Sequence, residues 1–112
     1  MADLPLEISA VDTAAALRGP APRPVLLDCR TPEEFATASI DGAVLIPMQE
    51  LTERIGELAG HENRPLIVHC HHGMRSLRVT RWLRDHGFPL AQSMAGGIEA
   101  WTTHIDPSVP RY

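Results

Sequence analysis

In the stretch LIVHCHHGMRSLRVTRWL, residues 66–83, an apolar run stops at Cys70 and gives way to two histidines, a glycine, an arginine and a helical pattern. A cysteine attacks as its thiolate, which is favoured by backbone N–H groups left free at a helix start and by nearby positive charge. Both are expected here, because the loop after Cys70 feeds a helix and carries Arg75. Gly73 suits a backbone that curls through positive φ. Ser76 reads as the cap of the following helix, with its hydroxyl close to the sulfur. The segment is therefore read as an anion cradle around a reactive thiolate, in preference to a buried structural cysteine.

The same stretch raises metal binding, since His69, Cys70, His71 and His72 are four potential ligands in succession. Consecutive strand residues point to opposite faces and do not easily converge on one tetrahedral ion, so no metal site is expected. His69, inside the apolar pattern, is read as a hydrogen-bonded core histidine. The second cysteine, Cys29, lies 41 positions before Cys70 with no CxxC spacing. That argues against a zinc site built on the pair, and a reducing compartment argues against a structural disulfide. Cys29 is read as packing at a strand end; a role as a resolving thiol requires its sulfur to approach Cys70.

Several elements must position Cys70. VLLDC at 25–29, AVLI at 43–46 and LIVHC at 66–70 are short continuous apolar runs, the pattern of strands buried on both faces of a parallel sheet. Ser9 reads as the cap of a first helix that ends near Gly19, and GPAPRPV at 19–25 as a loop. Thr31, Pro32 and Glu34 fit an N-cap, a first helical position and a capping box. MQELTERIGELAG has helical spacing and closes on Gly60, and SLRVTRWLRDHG at 76–87 is a further helix ending at Gly87. LAQSM is a weak strand, GGI a turn and EAWTT a short last helix. Alternating strands and helices with short connections define an α/β fold, a mainly parallel central sheet with helices on both faces. Ligands of such sheets bind beyond the carboxyl ends of the strands, where Asp28 and Cys70 both fall.

The 112 residues suffice for one core, and 1–112 is read as a single domain with a loop-like tail over 105–112. With 44% apolar and 21% charged residues the chain has an ordinary globular composition. The acidic start MADLPLEIS and the absence of a long apolar window give the expectation of a cytoplasmic protein without membrane attachment. A formal net charge of −4 argues against nucleic-acid binding. All ten basic residues are arginines, and Arg75, Arg78, Arg81 and Arg84 cluster on one helix and its preceding loop, a local positive field on an acidic chain, with Arg81 and Arg84 read first as a solvated helix face.

Three stretches together carry a resemblance. LLDCRTPEEFATASIDGAVLIP, VHCHHGMRS and AGGIEAW resemble, in order, the amino-terminal signature, active-site loop and carboxyl-terminal signature of the rhodanese-like sulfurtransferases, here as a single-domain rhodanese covering essentially the whole chain. The resemblance implies that Cys70 carries a persulfide, ringed by the loop amides of His71, His72, Gly73, Met74, Arg75 and Ser76. It also implies that Asp28, Arg30 and one of Glu33 and Glu34, with Glu34 preferred, hold the loop through a charge network. Ala38-Ser39 replaces the Gly-His often found before the isoleucine of the first signature, so any positioning role of that histidine is absent. Trp82 and Trp101 are read as core or groove packing.

The expected reaction moves a sulfane sulfur from a donor such as thiosulfate or another persulfide to cyanide, a thiol or a sulfur-carrier protein, with no cofactor. Arg75 suits a sulfonate-bearing donor through a bidentate contact. Phosphatases and arsenate reductases of the Cys-x5-Arg type are the rival enzymes. The spacing Cys70-x4-Arg75 makes a smaller ring, better matched to one sulfur atom than to a tetrahedral oxyanion. A non-catalytic binding module or a redox sensor is the rival of another class.

Overall fold

A computed structural model describes residues 4–112. Part of the acidic amino-terminal stretch, Met1–Asp3, lies outside the described residues. The strands are β1 (Glu7–Ile8), β2 (Val25–Asp28), β3 (Val44–Leu45), β4 (Leu66–His69) and β5 (Ala91–Met94). The helices are α1 (Ala10–Arg18), α2 (Pro32–Thr37), α3 (Leu51–Arg54), α4 (Met74–Asp85) and α5 (Gly97–His104). All strand pairings are parallel, in the order β1-β5-β4-β2-β3. The expected α/β architecture is thus present. It gains one edge strand, β1, that two residues were too few to announce.

The continuous apolar runs become strands buried on both faces, as all four residues of β2 and of β4 are buried. Their side chains alternate between two cores. Leu27, Leu66 and Val68 join Leu58, Val79 and Leu83 on the side of α3 and α4. Leu26, Ile67 and Met94 join Ala10, Ala14, Ile98 and Trp101 on the side of α1 and α5. Trp101 is therefore core. Trp82 packs half-buried against the first cluster and lines a groove with Met48, Leu51 and Val79.

Helix boundaries follow from their caps. The Thr31–Glu34 capping box forms as expected, with the Thr31 hydroxyl accepting from the Glu34 N–H and the Glu34 carboxylate accepting from the Thr31 N–H, both at 3.2 Å. Ser9 caps α1 by accepting from the Asp12 N–H. Two expectations are corrected. The helix after Cys70 starts at Met74 with Gly73 as its N-cap in the left-handed region, so Ser76 lies inside the first turn and caps nothing. MQELTERIGELAG is not one α-helix but a single α turn, α3, between two 3₁₀ segments, Met48–Glu50 and Ile55–Leu58. No helix among the described residues is long and apolar enough to cross a membrane.

Candidate active site

Cys70 follows β4, the middle strand of the sheet, and its thiol is 1% exposed. The loop then curls back over the sulfur. The Gly73 N–H donates to Cys70 Sγ at 3.0 Å and the Ser76 N–H reaches it at 3.4 Å. Ser76 Oγ also lies 3.4 Å from Sγ, and 2.7 Å from Ser93 Oγ at the end of the neighbouring strand. No side chain caps α4, so its first amides remain available to the sulfur. Gly73 makes the curl at φ +108°, and a side chain there would press on the Gly96 backbone at 3.3 Å.

The start of α5 buttresses the loop from the other side. The Ile98 N–H donates to the Cys70 carbonyl at 2.8 Å and the Glu99 N–H to the His71 carbonyl at 3.2 Å. Gly97 permits this approach, since an added Cβ would collide with both carbonyls. Thus GGI, expected as a turn, contains the first residues of α5 and a close packing contact.

Beneath the loop lies a charge network. Asp28 and Arg30 form a buried ion pair at 2.6 Å with both side chains wholly inaccessible. Arg30 also donates to the Ala38 carbonyl at 2.6 Å and to the Tyr112 hydroxyl at 2.8 Å. Tyr112 in turn donates to Glu34 at 2.7 Å and stacks its ring on His71 at 3.9 Å between centroids. Glu34 binds the Arg75 guanidinium with both carboxylate oxygens, at 2.6 and 3.0 Å. The Arg75 hydrogen bonds, aided by Tyr112, hold the Glu34 carboxyl well below the usual carboxylate range. The β2 end, the α2 cap, the active-site loop and the tail are therefore one connected set.

The other residues singled out in the sequence fall as follows. His72 and Met74 are exposed on the rim, His71 is half-buried between His72 and Tyr112, and Arg75 spends its fork on Glu34. His69 is core, but the expected hydrogen bonds are absent. Neither ring nitrogen has a partner, and Nε2 stands 3.6 Å from the Asp28 carboxylate. Burial outweighs that charge and pushes the His69 imidazole down to about 4. Cys29 is buried at the end of β2, its thiol donating to the His69 carbonyl at 3.4 Å. Burial first, then the charges of Cys70 and Asp28, push that thiol far up. Tyr112, Ser93 and Glu99 were not read as site residues, because nothing local in the sequence marks contacts made across the whole fold. A cavity of about 530 Å³ lined by Phe35, Ile40, Trp101 and Val109 lies elsewhere and has neither cysteine in its wall.

The fold and site thus define a parallel α/β protein with a buried cysteine just beyond the carboxyl end of its middle strand and two backbone amides directed at its sulfur. Within it, residues 10–104 match the family described as the rhodanese-like domain, and the chain belongs to the rhodanese-like sulfurtransferase family. It is 33% identical over 85 residues to a protein named "Sulfurtransferase" from Allochromatium vinosum, covering 76% of this chain and 78% of that protein. It is also 33% identical over 89 residues to the Arabidopsis thaliana protein "Rhodanese-like/PpiC domain-containing protein 12, chloroplastic", covering 78% of this chain and 30% of that protein. Among solved structures, the human single-domain sulfurtransferase TSTD1 superposes with a TM-score of 0.74 at 27% identity, over 89% of this chain and 97% of that one. The chain spans only about a fifth to a third of the length of several curated relatives.

Proposed function

We propose that this chain takes a sulfane sulfur from a donor such as thiosulfate, holds it as a Cys70 persulfide and passes it to cyanide, a thiol or a sulfur-carrier protein. The observation that carries the reading is the pair of N–H groups, from Gly73 and Ser76, at 3.0 and 3.4 Å from Cys70 Sγ. Fixed donors of this kind stabilise negative charge on sulfur without reorganising during the reaction.

In the first step the Cys70 thiolate attacks the outer sulfur of thiosulfate. The bond between that sulfur and the sulfonate breaks, its electron pair leaves with sulfite, and Cys70 retains one extra sulfur with its negative charge. In the second step cyanide or a thiolate attacks the terminal sulfur, and the bond to Sγ breaks with its pair returning to Cys70. Thiocyanate or a new persulfide departs. Both steps balance without a cofactor or an external redox partner. The pairing of Arg75 with both Glu34 oxygens withdraws its fork from the sulfonate of thiosulfate, the contact expected from the sequence, as well as from a phosphate, so the reading rests on the loop amides and on the short Cys70-x4-Arg75 spacing.

Mass spectrometry of the intact chain and its Cys70 peptide, after thiosulfate and then cyanide, tests the proposal. One added sulfur on Cys70, discharged as thiocyanate and absent in Cys70→Ser, is the expected result. Failure of thiosulfate and of a low-molecular-weight persulfide to load Cys70, with peroxide oxidising it instead, would overturn the proposal in favour of a redox-sensing module.

A further inference from the structure

Residues 69–72 present potential ligands that, as a linear run, cannot surround one ion. The fold changes that set. His69 is withdrawn into the core beside Asp28 and Cys70 turns under its amides, while α5 delivers a carboxylate to the two histidines that remain. We propose that His71, His72 and Glu99 form a binding site for a divalent cation of the zinc class at the rim of the Cys70 loop.

A ring nitrogen from each histidine and a carboxylate oxygen of Glu99 all lie within 4.8 Å of one another. Tetrahedral zinc, with nitrogen and oxygen ligands about 2.0–2.2 Å from the metal, separates its ligands by roughly 3.3 Å. Binding an ion therefore requires the partly exposed rings and the carboxylate to turn toward one another by about 1 Å or somewhat more. The Glu99 N–H is bonded to the His71 carbonyl at 3.2 Å and the Ile98 N–H to the Cys70 carbonyl at 2.8 Å, so the ligands come from two segments already fastened together. His71 is stacked between His72 and Tyr112 with centroids 3.9 Å away on each side, and the His71–His72 stack opens when both rings turn a nitrogen to the same ion.

Two imidazoles and one carboxylate, with a further position left for water or an incoming ligand, are a donor set that zinc accepts. The corner already draws a cation, because Arg111 Nε lies 3.3 Å from Glu99 Oε2. That pair is exposed, with the Arg111 side chain 59% accessible, and an exposed pair of this kind is readily exchanged for a metal ion.

Isothermal titration of the chelator-treated full chain with Zn²⁺, alongside Co²⁺ titration followed by absorption and by the histidine ring proton resonances, tests the site. One ion per chain is expected, with His71 and His72 the resonances that Co²⁺ shifts. Glu99→Gln and His72→Ala should each weaken binding by about tenfold or more, at least the loss seen when a mere outer-shell partner is removed. Cys70→Ser should bind as the native chain does, and Arg111→Ala should bind more tightly. Absence of binding, retention of full affinity in both ligand variants, or loss of binding in Cys70→Ser would overturn the proposal, the last by placing the ion on the thiolate.

Discussion

Two strand–helix junctions lie side by side at the carboxyl edge of the sheet. β2 and β4 pair in register with Asp28 opposite His69, and each is followed by a cysteine that is 1% exposed. At the β2–α2 junction, Thr31 and Glu34 satisfy the first amides of the helix with their own side chains. At the β4–α4 junction no side chain does so, and the amides of Gly73 and Ser76 point at sulfur. Cys29 therefore meets a carbonyl, which keeps its proton in place, whereas the sulfur of Cys70 receives the Gly73 and Ser76 N–H groups. Equal burial with opposite hydrogen-bond polarity distinguishes the packing thiol Cys29 from Cys70, the proposed nucleophile.

Removing each sulfur in turn should have the largest and most unequal effects. Cys70→Ser is expected to abolish sulfur loading, while Cys29→Ala keeps most of it and loses only the stability of a small buried group, about 1 kcal/mol; a persulfide assay and denaturant unfolding read the two effects. If Cys29→Ala also stopped loading, the contrast would fail.

The buried support comes next. Asp28→Asn leaves Arg30 charged and without its partner in the core, which should cost about 3–5 kcal/mol in chemical denaturation. His69 then provides a pH test of the same region. Its folded-state value is pushed below the ordinary 6.5 to about 4, so the unfolded chain binds the extra proton between those values. Stability should be fully present above about 6.5 and fall as the pH drops towards 4, with a limiting slope of about 1.4 kcal/mol per unit from this one group. His69→Gln should remove that part of the slope, and an unchanged profile would show that the neutral form is not what the core requires.

Smaller changes sharpen the difference between the junctions. Gly73→Ala forces a side chain into the left-handed region and should cost about 1–3 kcal/mol while slowing persulfide formation, because the donating amide shifts. Thr31→Ala should cost about 1 kcal/mol through the lost cap, with little effect on loading. A reversal of the two loading effects would place the functional amides at the wrong junction.

Much of this arrangement was legible locally. The runs VLLD and LIVH are buried strands because no polar residue breaks them before the site, and the Thr31-Pro32-x-Glu34 spacing produces a capping box from side chains three positions apart. Gly73 was legible as the loop's turning point, since its φ of +108° is open to glycine. The cap at Ser76 was misplaced, because a glycine in the left-handed region can open a helix with no side-chain signal. The long segment 48–60 has helical spacing, yet spacing alone does not distinguish one α-helix from a succession of 3₁₀ and α turns.

The α/β alternation and the loop around Cys70 are written in the sequence, since apolar periodicity, turn residues and the order of motifs are local properties. How that loop is held is a property of the folded chain. The pairing of Glu34 with Arg75, the insertion of Tyr112 between Arg30 and Glu34, and the meeting of Glu99 with His71 and His72 join residues far apart in the chain. Such contacts depend on strand order and helix placement, and those are set by how the apolar faces of the whole chain are buried together.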